Sequence, residues 1–216
     1  MPFLILWFLV STSSHPESTT GEKASSPVSN DTADALGADL EPLVRELRSR
    51  HGLRDGDRFI LVDVTRQRLY LLGEEPQSLA SYPVSTSKYG VGSRGGSNKT
   101  PLGTHRIRHK YGDGARLGTV FVARQSTGRI AKIYEDRTDV IEDLITTRIL
   151  WLEGLEPGRN RGRNVDSFRR YIYIHGTPEE GLVGTPASQG CIRMRNKDVI
   201  DLFEKVDEGT LVEIRE

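Results

Sequence analysis

The stretch YIYIHGTPEEGLVGTPASQGCIRM, residues 171–194, contains the only cysteine in a chain of 216 residues. It opens with β-branched and aromatic residues, which are typical of a strand, and this strand is predicted to stop at His175 and Gly176. A loop rich in Gly, Pro and Thr then separates His175 from Cys191, which lies sixteen positions further on. A loop of this length can fold back, so the spacing allows the imidazole and the thiol to meet.

Cys191 has two interpretations on this evidence. A thiol with its ordinary pKa of about 8.5 is a weak nucleophile and needs a base beside it, which His175 would supply. Backbone N–H groups around Gly190 and Cys191 could then form an oxyanion hole. No Asp or Asn is obviously placed to orient His175, and a backbone carbonyl would serve equally well. The alternative is a buried structural cysteine, since free cysteine is among the most buried residue types.

The surrounding sequence predicts mostly strands, separated by turns rich in glycine. Residues 58–64 and 68–72 are typical of a hairpin, and the first strand is apolar almost throughout, which predicts cover on both of its faces. Further strands are predicted over residues 78–86, 103–109, 119–124, 171–174 and 209–214. Helices are predicted over residues 34–50 with Gly52 as C-cap, over 139–149, and over 197–206 with Asn196 as N-cap.

This order of elements predicts a mainly-β domain with a few peripheral helices, because strands dominate and no βαβ alternation is present. We assign an amphipathic helix to residues 34–55 and the globular domain to residues 56–216. Thirty basic residues balance thirty acidic ones, so no net charge attracts the chain to nucleic acid. A nucleic-acid partner is therefore not expected.

The N-terminus predicts export. An apolar run from Phe3 to Val10, followed by small polar residues, resembles a signal peptide over residues 1–14. No Lys or Arg precedes the run and no A-x-A cleavage site follows it, while eight residues are too few to span a bilayer. Residues 15–33 are rich in Ser and Thr, which predicts a disordered linker.

Two loop motifs lack the context that their chemistry needs. GVGSRG, residues 90–95, matches a dinucleotide-binding loop, but no helix follows it, so a flexible loop is expected. STSK, residues 85–88, and KTP, residues 99–101, resemble parts of the penicillin-binding-protein motifs. STSK ends a strand instead of lying on a helix, and Pro101 removes an N–H that the chemistry needs.

His105 and His109 share one strand face without a third ligand nearby, so neither a metal nor a cofactor is expected. The arginines of residues 158–170 suggest either an anion site for substrate carboxylates or a solvated loop, and the solvated loop is favoured.

The stretch HGTPEEGLVGTPASQGCIRM closely resembles the signature of the L,D-transpeptidase (YkuD-type) catalytic domain, in which a His-Gly pair precedes a Ser/Thr-His-Gly-Cys-x-Arg block. ILVDVTRQRLYLL, SYPVSTSKYGVGS and KTPLGTHRI resemble that family's opening hairpin and its Thr-Pro-x-Gly turn, and RILWLEGLEPGRN and RRYIYIHGT resemble its bacterial periplasmic branch. The similarity covers roughly residues 56–216. It implies a periplasmic protein with a β-sandwich or mixed sheet and a few peripheral helices. The apolar N-terminus would act as a weak membrane anchor if it is retained.

The resemblance implies that Cys191 is the nucleophile, that His175 is its general base, and that the carbonyl of Gly176 orients the imidazole. The remaining matched positions shape the site and its oxyanion hole: Ser188, Gln189, Gly190 and Arg193. Gln189 stands where the family usually has His, and a Gln side chain cannot carry a proton at neutral pH. Because His175 is the implied base, we expect activity to survive, and the departure bears on rate or acceptor choice.

The reaction implied by the resemblance begins when the thiolate attacks the carbonyl of the third residue of a peptidoglycan tetrapeptide stem. D-alanine leaves, and an amine acceptor resolves the thioester, giving a 3→3 crosslink or attaching a protein to the wall. Two alternatives remain open. Water could resolve the same thioester, as in an L,D-carboxypeptidase or related hydrolase, or the chain could be a catalytically inactive wall-binding module.

Overall fold

The computed structural model describes residues 30–73 and 78–216. The predicted signal segment, residues 1–14, and most of the predicted linker, residues 15–33, lie outside the described residues. The first helix begins at Asn30, so the last four residues of the predicted linker are helical.

The described residues form ten strands and two α-helices. The strands are β1 (Phe59–Asp63), β2 (Arg68–Leu72), β3 (Ser78–Pro83), β4 (Gly103–Tyr111), β5 (Thr119–Val122), β6 (Gln125–Ile130), β7 (Ile145–Gly154), β8 (Tyr173–Gly176), β9 (Ile192–Met194) and β10 (Leu211–Arg215). The helices are α1 (Asn30–His51) and α2 (Asn196–Lys205), with single 3₁₀ turns at Arg163–Val165 and Glu180–Leu182.

All ten strands belong to one mixed sheet, which confirms the prediction of a mainly-β fold with peripheral helices. Its strand order is β3-β2-β1-β10-β4-β7-β5-β6, with β8 paired to β7 and β9 paired to β8. Most pairs are antiparallel, as the hairpin of β1 and β2 predicts, but β1 with β10 and β8 with β9 are parallel. The sheet is therefore mixed, and β8 and β9 form its branch.

Cover on both faces of β1 is confirmed, because all five of its residues are buried. Ile60 and Val62 point into the main core, which also contains Leu150 and Leu152 of β7 and the apolar face of α2. Alternate side chains of β1 point to the opposite face, where Phe59 and Leu61 pack under α1. Gly52 follows α1 with φ +73°, as expected of a glycine C-cap.

Two helix-related predictions are wrong. Residues 139–149 do not form a helix, because residues 145–154 are strand β7. The β-branched run Ile145-Thr146-Thr147 suits a strand better than a helix, and it pairs with β5 and β8. Asn196 is not the N-cap of α2, because that position is Arg195 and Asn196 is the first helical residue.

Some strand boundaries also differ from the prediction. The strand predicted over 78–86 ends at Pro83, and the one predicted over 171–174 runs from Tyr173 to Gly176. The strand predicted over 119–124 ends at Val122, since Ala123 and Arg124 have positive φ and turn the chain into β6.

Candidate active site

His175 and Cys191 lie on the same face of two neighbouring strands. In the parallel pair, Ile174 stands opposite Ile192 and His175 opposite Arg193. Ile174 and Ile192 point into the main core, so side chains at the alternate positions point away from it. Cys191 directly precedes β9, and its sulfur accepts a hydrogen bond from the Tyr173 N–H at 3.4 Å. The structure thus places the thiol diagonally across the strand pair from the imidazole.

Cys191 is partly exposed, and its side chain lies against a cluster of aromatic residues. Its Sγ donates to the carbonyl of Tyr171 at 3.4 Å, and its side chain packs on the cluster that contains Trp151 and Tyr173. Burial raises the pKa of Cys191 to about 12, against the smaller lowering effects of the Tyr173 N–H and the Arg170 and Arg193 guanidinium groups. The thiol is therefore neutral at pH 7.

The His175 imidazole is buried and held by its neighbour. Nδ1 lies 2.8 Å from the carbonyl oxygen of Gly176, and since a carbonyl only accepts, Nδ1 carries the hydrogen. Nε2 of the neutral ring is then free to accept a proton. Burial lowers the pKa of His175 below its ordinary 6.5, while the nearby carboxylate of Asp143 acts in the opposite direction. The imidazole is consequently a neutral base at pH 7.

Gly176 follows His175 because another side chain would not fit there. A Cβ at this position would lie 2.7 Å from Oδ1 of Asn196 and 2.8 Å from the carbonyl oxygen of Thr146. The close approach fixes the peptide whose carbonyl binds His175.

The loop before Cys191 is shaped by Gly190 and Ser188. Gly190 has φ +123°, in the region that favours glycine. The buried Ser188 hydroxyl donates to the carbonyl of Cys191 at 2.6 Å and accepts from the Gly190 N–H at 3.2 Å. Thr100, from the Thr-Pro-x-Gly turn, donates to the carbonyl of Gly190 at 3.1 Å. Several hydrogen bonds therefore hold the loop before Cys191 in place.

Arg193 is 2% exposed and stands opposite His175 in the parallel pair of β8 and β9. Its Nη1 donates to Oε2 of Glu179 and, at 3.2 Å, to Oδ1 of Asp143. Asp143 comes from the segment between β6 and β7, and the Val140 N–H of the same segment donates to Glu179 at 2.6 Å. Arg193 thus ties this segment to the loop that follows His175.

Gln189 is exposed and lines a pocket of about 250 Å³ beside Arg193. Lys88, Asp139, Asp143 and Glu179 contribute the charged groups of its lining. The position at which the family usually has His therefore falls on a pocket wall that Arg193 also lines.

A second cavity of about 350 Å³ lies at the arginine-rich loop of residues 158–170. It is lined by Arg163, Arg169 and Arg170 together with Gly95 and Gly96. The prediction of a solvated loop is wrong for Arg170, which is only partly exposed. It donates to the carbonyl oxygens of Lys99 at 2.6 Å and Gly92 at 3.4 Å. Its charge lowers the pKa of the Cys191 thiol, against the larger effect of burial, so the end of this loop lies near the thiol.

An aromatic wall completes the surroundings of Cys191. Trp151 stacks on Phe168 with ring centroids 3.9 Å apart, and Tyr173 meets its edge at 5.7 Å. Arg124, at the turn between β5 and β6, lies 4.7 Å from the Trp151 ring centroid. The β5–β6 turn therefore covers this wall.

The motifs that the sequence analysis set aside have other roles. Residues 90–95 form a loop with no helix after it. In STSK, Ser85 forms a β-bridge with Arg193, and Lys88 lies in a turn. His105 is buried and hydrogen-bonded to the carbonyl of Gly103 and to Ser167. Across residues 30–73 and 78–216, no group of three or more His, Cys, Asp or Glu could hold a metal ion. Within the same residues, no helix is long and apolar enough to cross a membrane.

Three residues near Cys191 and Arg193 were not predicted from the sequence: Asp143, Glu179 and Thr100. The Thr-Pro-x-Gly turn resembles the family's sequence, but no sequence signal indicates that Thr100 contacts the loop before Cys191. Asp143 and Arg170 lie 48 and 21 positions before Cys191, and only the folded sheet brings them close to it.

Most of the chain is similar to known proteins. Residues 57–214 match the model of the L,D-transpeptidase catalytic domain. The chain is 25% identical over 156 residues to the probable L,D-transpeptidase YcfS of Escherichia coli, covering 72% of this chain and 43% of that protein. It is 48% identical over 46 residues to the putative L,D-transpeptidase YkuD of Bacillus subtilis, covering 21% of this chain and 28% of that protein. The matches thus span less than half the length of these curated relatives.

Among solved structures, an L,D-transpeptidase from Mycobacterium smegmatis is similar with a TM-score of 0.44 and 16% identity, covering 74% of this chain and 59% of that one. L,D-transpeptidase 3 from Mycobacterium tuberculosis, solved with a faropenem-derived adduct, is similar with a TM-score of 0.46 and 14% identity, covering 74% of this chain and 60% of that one.

Proposed function

The chain belongs to the L,D-transpeptidase catalytic-domain family, and from this premise we propose that it is a peptidoglycan L,D-transpeptidase acting through a thioester on Cys191. The observation that carries the proposal is the placement of a neutral imidazole and a neutral thiol on one face of adjacent strands. A neutral pair of this kind suits general-base activation of the thiol when substrate binds.

In the first half-reaction, the Cys191 sulfur attacks the carbonyl carbon of the third stem residue while Nε2 of His175 takes the thiol proton. The bond to D-alanine breaks, and His175 returns the proton to the leaving amine. The product is a thioester, so one difficult amide exchange becomes two easier steps.

Charge on the tetrahedral oxygen requires donors near Cys191. We assign this role to the Cys191 N–H, with the Gly190 N–H joining it if substrate displaces its 3.2 Å bond to Ser188. Ser188 and Gly190 hold the loop before Cys191 in place, and Arg193 forms an ion pair with Asp143 beside it.

In the second half-reaction an amine resolves the thioester, as in the formation of a 3→3 crosslink between tetrapeptide stems or the attachment of a protein to the wall. The proposal includes export to the periplasm, where these stems lie, through the signal-like segment at residues 1–14.

The test is incubation of the purified protein, and of a Cys191→Ala control, with disaccharide-tetrapeptide, followed by mass spectrometry of the products. We expect a crosslinked dimer and D-alanine from the wild type only. Tripeptide without dimer would assign the enzyme to hydrolysis of the same thioester. Absence of product and of any acyl adduct, from protein shown to be folded by circular dichroism, would contradict the proposal and favour an inactive wall-binding module.

A further inference from the structure

His105 is a fully buried imidazole outside the His175–Cys191 pair, and both of its ring nitrogens are hydrogen-bonded. Nδ1 lies 2.8 Å from the carbonyl oxygen of Gly103, and since a carbonyl only accepts, Nδ1 carries the hydrogen. Nε2 therefore accepts from the hydroxyl of the equally buried Ser167 at 2.9 Å. Burial lowers the pKa of His105 to about 4, so the ring is neutral at pH 7 and Nε2 remains an acceptor.

The Gly103 bond connects His105 to the loop before the nucleophile. Gly103 ends the Thr-Pro-x-Gly turn, and Thr100, at the start of that turn, donates to the carbonyl of Gly190 at 3.1 Å. The backbone of Gly103 has φ +95°, and a Cβ at this position would collide with the carboxylate of Glu156. This close approach and the bond to His105 together fix the turn that carries Thr100.

Ser167 anchors the segment that contacts the sulfur of Cys191. The carbonyl of Ser167 accepts from the Ile172 N–H at 3.1 Å, which closes a turn. Within this turn the Tyr171 carbonyl accepts from Sγ at 3.4 Å, and just after it the Tyr173 N–H donates to Sγ at 3.4 Å. Tyr171 has φ +57°, a strained conformation for a tyrosine, so the contacts around it must hold it in place.

We propose that His105 is a positioning residue for the nucleophile, because its two hydrogen bonds join the turn that holds Gly190 to the turn that holds the Cys191 sulfur. Since the imidazole is fully buried, it acts through Ser167 and Thr100 and not on the substrate itself. This inference rests on the proposed function, because the sulfur has to be aligned only if it attacks a carbonyl. A displacement of about 1 Å can cost about a hundredfold in rate, so a small shift of either turn is sufficient.

The experiment removes the bond between the two buried side chains from either end, in Ser167→Ala, in His105→Asn and in the double variant. The Asn amide can still donate to Gly103 but reaches less far than the imidazole, so it loses Ser167. We expect kcat for D-alanine release from disaccharide-tetrapeptide to fall about tenfold in each variant, with KM changed less than about twofold, because neither side chain reaches the substrate. The double variant should be no slower than the slower single variant, because the same bond is lost in all three.

Alkylation of Cys191 by iodoacetamide at about pH 8 gives a second readout that needs no substrate. Burial is the largest cause of the high pKa of Cys191, so a looser turn at Tyr171 should admit water, lower that pKa and speed alkylation at least about threefold. Slower catalysis with faster alkylation distinguishes lost alignment from simple destabilisation. Leu47→Ala, which opens a cavity in the cluster under α1, is the control and should change neither rate. Both rates are measured at a temperature where circular dichroism shows every variant to be folded.

His105→Gln is the conservative variant, because its side-chain oxygen can still accept from Ser167. Its kcat should stay within about threefold of the wild type, and a loss as large as that in His105→Asn would overturn the proposal. If the wild type releases D-alanine while Ser167→Ala changes neither kcat nor alkylation, the positioning role is wrong and the transpeptidase function stands. If the wild type releases no D-alanine, the proposed function is wrong, and alkylation alone tests the role of His105: an unchanged rate in Ser167→Ala overturns it, and a faster rate supports it.

Discussion

At the scale of single residues, the proposed mechanism starts from a neutral thiol at Cys191 and a neutral imidazole at His175. Burial lowers the pKa of His175 and raises that of Cys191 to about 12, so no preformed thiolate–imidazolium pair is expected at pH 7. We therefore predict that kcat/KM for D-alanine release falls as pH drops through an inflection below 6.5, where His175 gains a proton and ceases to be a base. Stopped assays of D-alanine between pH 4.5 and 8, roughly the range in which His titrates, measure the inflection.

Asp143→Asn provides the sign test for this prediction. The carboxylate of Asp143 favours the charged imidazolium, so its removal should move the inflection to still lower pH. Glu142→Gln, at the exposed neighbouring position, is the matched control and should leave it unchanged. An inflection above 6.5 in the wild type would contradict the account of His175.

The candidate base His175 and the candidate nucleophile Cys191 could be predicted from the sequence. A histidine-glycine pair and a single cysteine behind a glycine are a specific pattern for a thiol activated by an imidazole. Gly190 illustrates this, since its φ of +123° needs glycine. Asp143 was not readable, because an aspartate in an irregular segment has no pattern until β7 brings it to Arg193.

At the scale of elements, the buried Asn196 side chain joins β7, the loop after His175 and the start of α2. Its Oδ1 accepts from Thr146 and Thr147 at 2.7 and 2.5 Å, and its Nδ2 donates to the carbonyl of Thr177 at 2.8 Å. We predict that Asn196→Ala lowers the free energy of unfolding by at least about 2 kcal/mol, because it strands several buried polar groups. Urea denaturation measures the loss.

The neighbouring exposed residue gives the control. Lys197→Ala should change the free energy of unfolding by less than about 0.5 kcal/mol. A loss no larger in Asn196→Ala than in Lys197→Ala would show that this network does not stabilise the junction.

At the scale of elements, local sequence patterns predicted some features correctly and others wrongly. Asn before an amphipathic run is typical of an N-cap, but buried threonines on β7 bind its side chain more completely than the helix end would. Residues 139–149 show spaced apolar positions typical of a helix, and sheet pairing overrode that weak signal at Ile145. The hairpin of β1 and β2 was predictable because its pattern and its turn agree.

At the scale of the whole molecule, α1 covers the face of the sheet opposite the main core. Leu43 and Leu47 pack there with Phe59, Leu61 and Tyr70. We predict that Leu47→Ala lowers the free energy of unfolding by about 2–5 kcal/mol, as expected for a buried leucine, while D-alanine release at low temperature is retained. Thermal denaturation with Arg45→Ala, an exposed position on the same helix, as control measures the effect.

Retained stability in Leu47→Ala would mean that α1 does not belong to the cooperative folding unit. The overall architecture was predictable to the level of a mainly-β domain with a helix at residues 34–50, since periodicity reports which faces are buried. The branch at β8 and β9 was not, because a parallel pair of three residues leaves no distinctive pattern in the sequence.

The measurement that tests the central claim most directly is the intact mass of the protein after brief mixing with disaccharide-tetrapeptide and acid quenching. The account predicts a covalent adduct equal to the disaccharide-tripeptide acyl group, which maps to Cys191 and is lost in both Cys191→Ala and His175→Gln. An unmodified mass at every mixing time, or an adduct on another residue, from protein whose fold is intact would contradict it.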